Sequence, residues 1–171
     1  MANRRQPLEQ LYIHFVTFSC YHRRRILEYD QANRVVLGCL NTNLKVHRGR
    51  CAGFVLMPDH VHALVWFDTL NQLPSFIQKW KHDSSYAIKE QYRRWAWSYG
   101  DAIGDDTPIW QRRYYSFEIY HPAKIQEKLD YMHMNPVRAK FALLPAQWRW
   151  SSARWYDKGK SVGVPISMPE F

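Results

Sequence analysis

Two histidines flank a single valine in His60-Val61-His62, at the start of a stretch whose composition predicts a strand. Side chains alternate along a strand, so both imidazoles project from one face while Val61 turns to the other. Imidazoles so placed can share one divalent metal ion. They can equally stand hydrogen-bonded, or partly exposed, at a strand end. Further on, Tyr131 and Asn135 are four positions apart in a segment with helical periodicity. They therefore share a helix face, separated by roughly 5.4 Å of rise. An asparagine amide oxygen is a hard, neutral ligand suited to Mg²⁺ or Mn²⁺. A tyrosine beside such an ion has the chemistry to attack a phosphodiester and become covalently linked to it. The ordinary role of a helical tyrosine, by contrast, is packing in a core or interface. Tyr114, Tyr115 and Tyr120 compete as nucleophiles, but none of the three has an asparagine four residues later. His133 points about 200° around the helix from Tyr131 and is expected to be structural. His121 reads as a cap or solvent contact, and His82 as a phosphate contact or part of a solvated face.

Several elements must position these groups. Tyr12 to Ser19 is rich in β-branched and aromatic residues and predicts a strand. Three consecutive arginines, Arg23 to Arg25, follow it. Asp30 is the expected N-cap of a helix to about His47, with Val36, Leu40 and Leu44 on one face. Cys51 to Phe67 reads as a β-hairpin turning at Pro58-Asp59. Helical spacing of Phe76, Ile77, Trp80, Ala87 and Ile88 predicts a helix from near Pro74 into the Arg93 region. Residues 99–108 read as a loop, and Trp110 to Ile119 as another strand. His121-Pro122 opens a helix through about Met134, with Ile125, Leu129 and Met132 inward and Pro136 expected to end it. Residues 158–171 are expected to run over the surface. Strands separated by helices, with one clear hairpin, predict an α+β fold on a largely antiparallel sheet. A length of 171 residues suits one domain.

Lys and Arg (24) exceed Asp and Glu (15), giving a net charge of +9. That excess suits a polyanionic partner, because neutralising phosphates releases condensed counterions. Basic residues also interleave with aromatics in Lys79-Trp80-Lys81, Arg93-Arg94-Trp95 and Arg112-Arg113-Tyr114-Tyr115. Guanidinium groups hold phosphates and rings stack on unpaired bases; such a cluster can equally be a solvated face with its aromatics turned inward. Arg23, Arg24, Arg25, Arg112 and Arg113 are the candidate contacts to a nucleic-acid backbone. Cys20, Cys39 and Cys51 are odd in number and far apart, which implies neither a disulfide framework nor a metal knot. The polar first ten residues and the lack of any apolar run near ~20 residues predict a cytoplasmic protein without membrane spans.

The stretch Gly53-Phe54-Val55-Leu56-Met57-Pro58-Asp59-His60-Val61-His62 resembles the metal-binding strand of the HUH single-tyrosine transposases. Leu129-Asp130-Tyr131-Met132-His133-Met134-Asn135-Pro136-Val137-Arg138-Ala139 resembles the tyrosine helix of one branch, the REP-associated tyrosine transposases. Trp148-Arg149-Trp150-Ser151-Ser152-Ala153, Phe15-Val16-Thr17-Phe18 and Trp110-Gln111-Arg112-Arg113-Tyr114-Tyr115 fit the same branch, so the likeness runs over roughly residues 12–156. It implies a ferredoxin-like HUH nuclease fold, a central antiparallel sheet flanked by helices. It further implies that His60 and His62 hold a divalent metal, Mg²⁺ or Mn²⁺, with Asn135 as third ligand. Tyr131 would cleave single-stranded DNA, keep the 5′ phosphate and free a 3′ hydroxyl able to rejoin strands. Repeats that extrude as hairpins are the implied substrates. The sequence departs from the pattern at Lys140, where a small residue such as glycine is expected, and at Met134, where a polar one is common. A hairpin-binding protein with little recombination activity, and a phosphodiesterase in which water attacks, are the alternative readings. Monomer and homodimer both stay open.

Overall fold

The computed structural model describes residues 12–95, 104 and 106–170. Its strands are β1 (Tyr12–Ser19), β2 (Arg50–Met57), β3 (His60–Phe67) and β4 (Tyr115–Ile119). Its helices are α1 (Asp30–Val46), α2 (Leu73–Trp95), α3 (Pro122–Arg138) and the short α4 (Ala153–Lys158). The strands form one antiparallel sheet in the order β2-β3-β1-β4. This is the expected α+β architecture.

Strand alternation gives the sheet two apolar faces. Val16, Phe18, Val61, Ala63 and Val65 face α1 and α2 and join Val36, Leu40, Phe76 and Trp80 in the larger core. The Trp80 indole N–H donates to the Val36 carbonyl at 2.9 Å, which ties α2 to α1. Ile13, Phe15, Val55, Met57 and Leu64 face the other way and pack under Ile125, Leu129 and Met132 of α3. Gly53 lets that helix approach: a Cβ there would stand 2.5 Å from Leu129 Cδ2 and 3.0 Å from Met132 Cε.

Three boundaries differ from expectation. Tyr29, not Asp30, is the N-cap of α1, and Asp30 occupies the first turn, where a carboxylate complements the helix dipole. The strand expected from Trp110 begins only at Tyr115. Trp110 makes a single bridge to Cys20, and the Lys81 ammonium donates to the carbonyls of Gln111 and Arg112. Those acceptors, beside exposed Arg112 and Arg113, are thereby taken from any ladder. Finally, α3 runs through Pro136 to Arg138. A proline this near the C-terminus removes one donor, and its buried ring packs rather than breaks the helix.

Residues 99–108 lie largely outside the described part of the chain. Beyond α4 the chain returns along β2: the Ser167 N–H donates to Cys51 O, and the Trp66 indole N–H to Ser167 O, each at 2.9 Å. No described helix is long and apolar enough to cross a membrane.

Candidate functional site

The antiparallel register sets Ser19 opposite His60 and Thr17 opposite His62. Both histidines thus stand on the sheet face that α3 covers, and their ring centroids are 4.8 Å apart. Each ring has its Nδ1 held by a neighbouring side chain. The His60 Nδ1–H donates to Asp59 Oδ1 at 2.6 Å, and Asp59 in turn pairs with Arg23 at 3.0 Å. Thr17 Oγ1 lies 2.6 Å from His62 Nδ1. Such partners fix ring orientation and make Nε2 the nitrogen that each ring turns to any further partner.

From α3, Tyr131 and Asn135 reach the same place. The Tyr131 ring centroid is 5.7 Å from that of His62 and 6.1 Å from that of Phe15. The Asn135 amide N–H donates to His60 Nε2 at 3.4 Å. Tyr131 is 46% exposed, whereas His62 is only 6% exposed. Two cations flank the tyrosine: the Arg138 guanidinium carbon at 4.8 Å from its ring centroid and Lys128 Nζ at 5.8 Å. Arg138 also donates to the Tyr131 carbonyl.

Burial, reinforced by His60, Arg23, Arg138 and Lys128, pushes the His62 pKa down to about 3. Its imidazole is therefore neutral near pH 7, the form that binds metals. Two imidazoles and an amide make a donor set that fits a divalent ion. Among the described residues there is no group of three or more His, Cys, Asp and Glu side chains able to hold a metal; the further polar group beside the two histidines is the Asn135 amide. A half-turn of that amide exchanges its nitrogen for its oxygen.

The expected quartet of His60, His62, Tyr131 and Asn135 is thus brought together. The arginine clusters flank it at one end of the sheet. Arg23 joins the histidines through Asp59, Arg24 donates to the Pro108 carbonyl, and Arg25 pairs with Glu28 at 2.7 Å. Arg112 and Arg113 are exposed and follow Gln111, whose N–H donates to Ser19 O. His133 is buried with Nε2 2.7 Å from Ser152 Oγ, as its position around α3 suggested. His121 is exposed, at the N-cap of α3 without a side-chain cap bond, and His82 is exposed beside Asp83. Sequence reasoning missed Asp59, Thr17, Lys128 and Arg138. Asp59 was legible only as a turn residue, and Lys128 and Arg138 are signalled by spacings of three and seven from Tyr131.

A four-stranded antiparallel sheet that offers a histidine pair to a tyrosine on its covering helix has the fold of the single-tyrosine transposases. The chain belongs to the IS200-like transposase family, whose model matches residues 7–135 and so spans all four residues of the quartet. It is 26% identical over 108 residues to a Haemophilus influenzae protein described as a REP-associated tyrosine transposase. That match takes in 57% of this chain and 54% of the relative, so the chain spans about half the length of the curated protein it matches. A solved REP-associated tyrosine transposase bound to a REP hairpin superposes with TM-score 0.66 at 17% identity, covering 100% of this chain and 95% of that one. A transposase-like structure from Deinococcus radiodurans gives TM-score 0.51 at 16% identity, over 70% and 89%. The resemblance read from the sequence blocks agrees with all of these.

Proposed function

We propose that this chain nicks and rejoins single-stranded DNA at repeat hairpins through a 5′-phosphotyrosine on Tyr131, the chemistry of DNA transposition. The observation that carries the reading is the meeting of Tyr131 with His60, His62 and Asn135 beneath two cations. A half-exposed phenol between Arg138 and Lys128 lies where an arriving phosphate gains from both charges. In the step, Tyr131 Oη bonds to phosphorus, the bond from phosphorus to the 3′ oxygen breaks, and the phenolic proton passes to solvent. The 3′ oxygen leaves and takes up a proton, while the 5′ side stays on the enzyme as a phosphodiester. Rejoining is the reverse attack by a 3′ hydroxyl. A divalent ion, Mg²⁺ or Mn²⁺, held by His60, His62 and Asn135, would supply positive charge to polarise the phosphate and stabilise the displaced oxygen. Asp59 and Thr17 keep the two imidazoles oriented for that role.

Labelled hairpin DNA with single-stranded flanks, mixed with protein and Mg²⁺ or Mn²⁺, is expected to yield a protein–DNA adduct on a denaturing gel. Tyr131→Phe and a chelator should each abolish it while hairpin binding persists. Binding with no adduct on any hairpin would leave a hairpin-binding protein. Cleavage that survives Tyr131→Phe would assign the attack to water.

A further inference from the structure

On the α1 side of the sheet, a cavity of about 420 Å³ opens between α1 and the chain that follows Trp148. Arg34, Arg149 and Arg154 line it, together with Gly38 and Trp150. Arg149 is tied to Asp30 at 3.2 Å, and its guanidinium carbon sits 4.8 Å from the Trp150 ring centroid. Neither Arg34 nor Arg154 makes an ion pair among the described residues. One carboxylate therefore offsets three guanidinium groups around a single concavity, which favours an anion there.

Gly38 supplies a second observation. Glycine inside a helix costs stability relative to alanine, yet nothing lies within 4 Å of where its Cβ would stand. Core packing does not require the glycine. What its missing side chain leaves is open space on the lining of the cavity.

The cavity also continues a basic track that starts at the quartet. Arg138 lies over Tyr131 and Arg23 pairs beside His60. Arg25, paired with Glu28, has its guanidinium carbon 5.6 Å from the Phe141 ring centroid, Arg149 meets Asp30 at the start of α1, and Arg34 is one helical turn further on. A flexible polyanion can follow such a line of cations, whereas a compact anion has no use for it.

We infer that this cavity is a second DNA subsite, in which Arg34 and Arg154 hold a phosphodiester of the strand remote from the bond that Tyr131 attacks. This rests on the DNA-processing reading above. Binding and cleavage test it separately. Hairpin affinity is measured over a salt series with the full chain carrying Tyr131→Phe, in chelator, so that no cleavage intervenes. Adding Arg34→Ala with Arg154→Ala is expected to weaken binding about tenfold near physiological salt and to reduce the slope of log K against log salt by about one, for the single phosphate they hold. Gly38→Gln fills the space without changing charge. It should weaken binding while leaving the thermal midpoint unchanged or higher.

On the Tyr131 background, adduct formation with a short single strand carrying only the cut site should be the same with and without the arginine pair. Unaltered affinity and slope in both sets of variants would overturn the subsite. An effect of the arginines with none of Gly38→Gln would also overturn it, by reducing the cavity to a diffuse field. Inorganic phosphate that stabilises the wild-type chain but not the double variant, with DNA affinity unchanged, would assign the cavity to free phosphate instead. Failure of the transposase reading looks different, because the wild-type chain then gives no adduct whatever happens at Arg34 and Arg154.

Discussion

At Lys140 the backbone turns left-handed, with φ of 63°. Its N–H donates to Val137 O at 3.0 Å, and the Phe141 N–H to Pro136 O at 2.9 Å. These paired bonds are a Schellman ending, in which the residue just past the helix adopts the conformation that glycine takes at least cost. The small residue expected here from the resemblance thus has a physical reason, and lysine strains the position. Lys140→Gly should raise stability by about 1 kcal/mol, read as a higher denaturant midpoint; a lower midpoint would mean that Lys140 makes a compensating contact. Asp59 offers a test at the site itself. Replacing it with Asn weakens the acceptor for His60 Nδ1–H and removes the pairing with Arg23. Mn²⁺ affinity should then fall about 10- to 100-fold by titration calorimetry. Equal affinity would show that His60 needs no orienting carboxylate. His60, His62, Tyr131 and Asn135 were legible because strand and helix periods put each pair on one face. Thr17 was not, because its partnership with His62 comes from cross-strand register, which no local spacing encodes.

The elements were legible where apolar periodicity is strong, as in the hairpin of β2 and β3 and in the inward faces of α1 and α3. They were misread where a tertiary partner decides. The Lys81 ammonium of α2 takes the carbonyls of Gln111 and Arg112, while the Gln111 N–H still donates to Ser19 O of β1. Burial of Pro136 lets α3 continue to Arg138. The seat of α3 on the sheet depends on Gly53, another fact invisible in the local pattern. A methyl group there meets Leu129 Cδ2 and Met132 Cε, both ends of fully buried side chains. Gly53→Ala should cost about 1–3 kcal/mol through overpacking. It should also displace Tyr131 and Asn135 from the histidines, so that adduct yield falls even at temperatures where the variant is folded. Leu129→Val, by shortening the side chain that clashes, should restore part of both losses. Wild-type stability and yield in Gly53→Ala alone would show that the core relaxes around the methyl group and that α3 is not seated by this glycine.

Across the whole molecule, burial of neutral titratable groups confines maximal stability to a band of pH. Burial pushes the His62 pKa down to about 3, with nearby cations adding to the effect, and pushes that of His133 down to about 4. His14 is lowered in the same sense, also chiefly by burial. In the unfolded chain these imidazoles regain their ordinary value of 6.5. Below that pH the unfolded state takes up protons that the folded state refuses. Stability is therefore complete above about 6.5 and declines as pH falls, until the folded groups titrate near 4 and 3. Each histidine adds a slope approaching ~1.4 kcal/mol per pH unit. At the other extreme, burial pushes the thiols of Cys20 and Cys51 up to about 12, from an ordinary value of 9.0. The unfolded chain then loses protons first, and stability declines again above about 9. Acidic groups stay largely ionised between pH 7 and 5, so the loss in that window belongs to the histidines. The check is a series of urea midpoints for the metal-free chain in chelator, from pH 5 to 10. His133→Gln, which does not titrate, should flatten the acid limb by the share of one histidine, even though it also weakens the contact to Ser152. Midpoints that do not change from pH 7 to 5 would mean that the imidazoles are hydrated and charged in the folded chain, and that α3 does not seal His62 and His133 against the sheet.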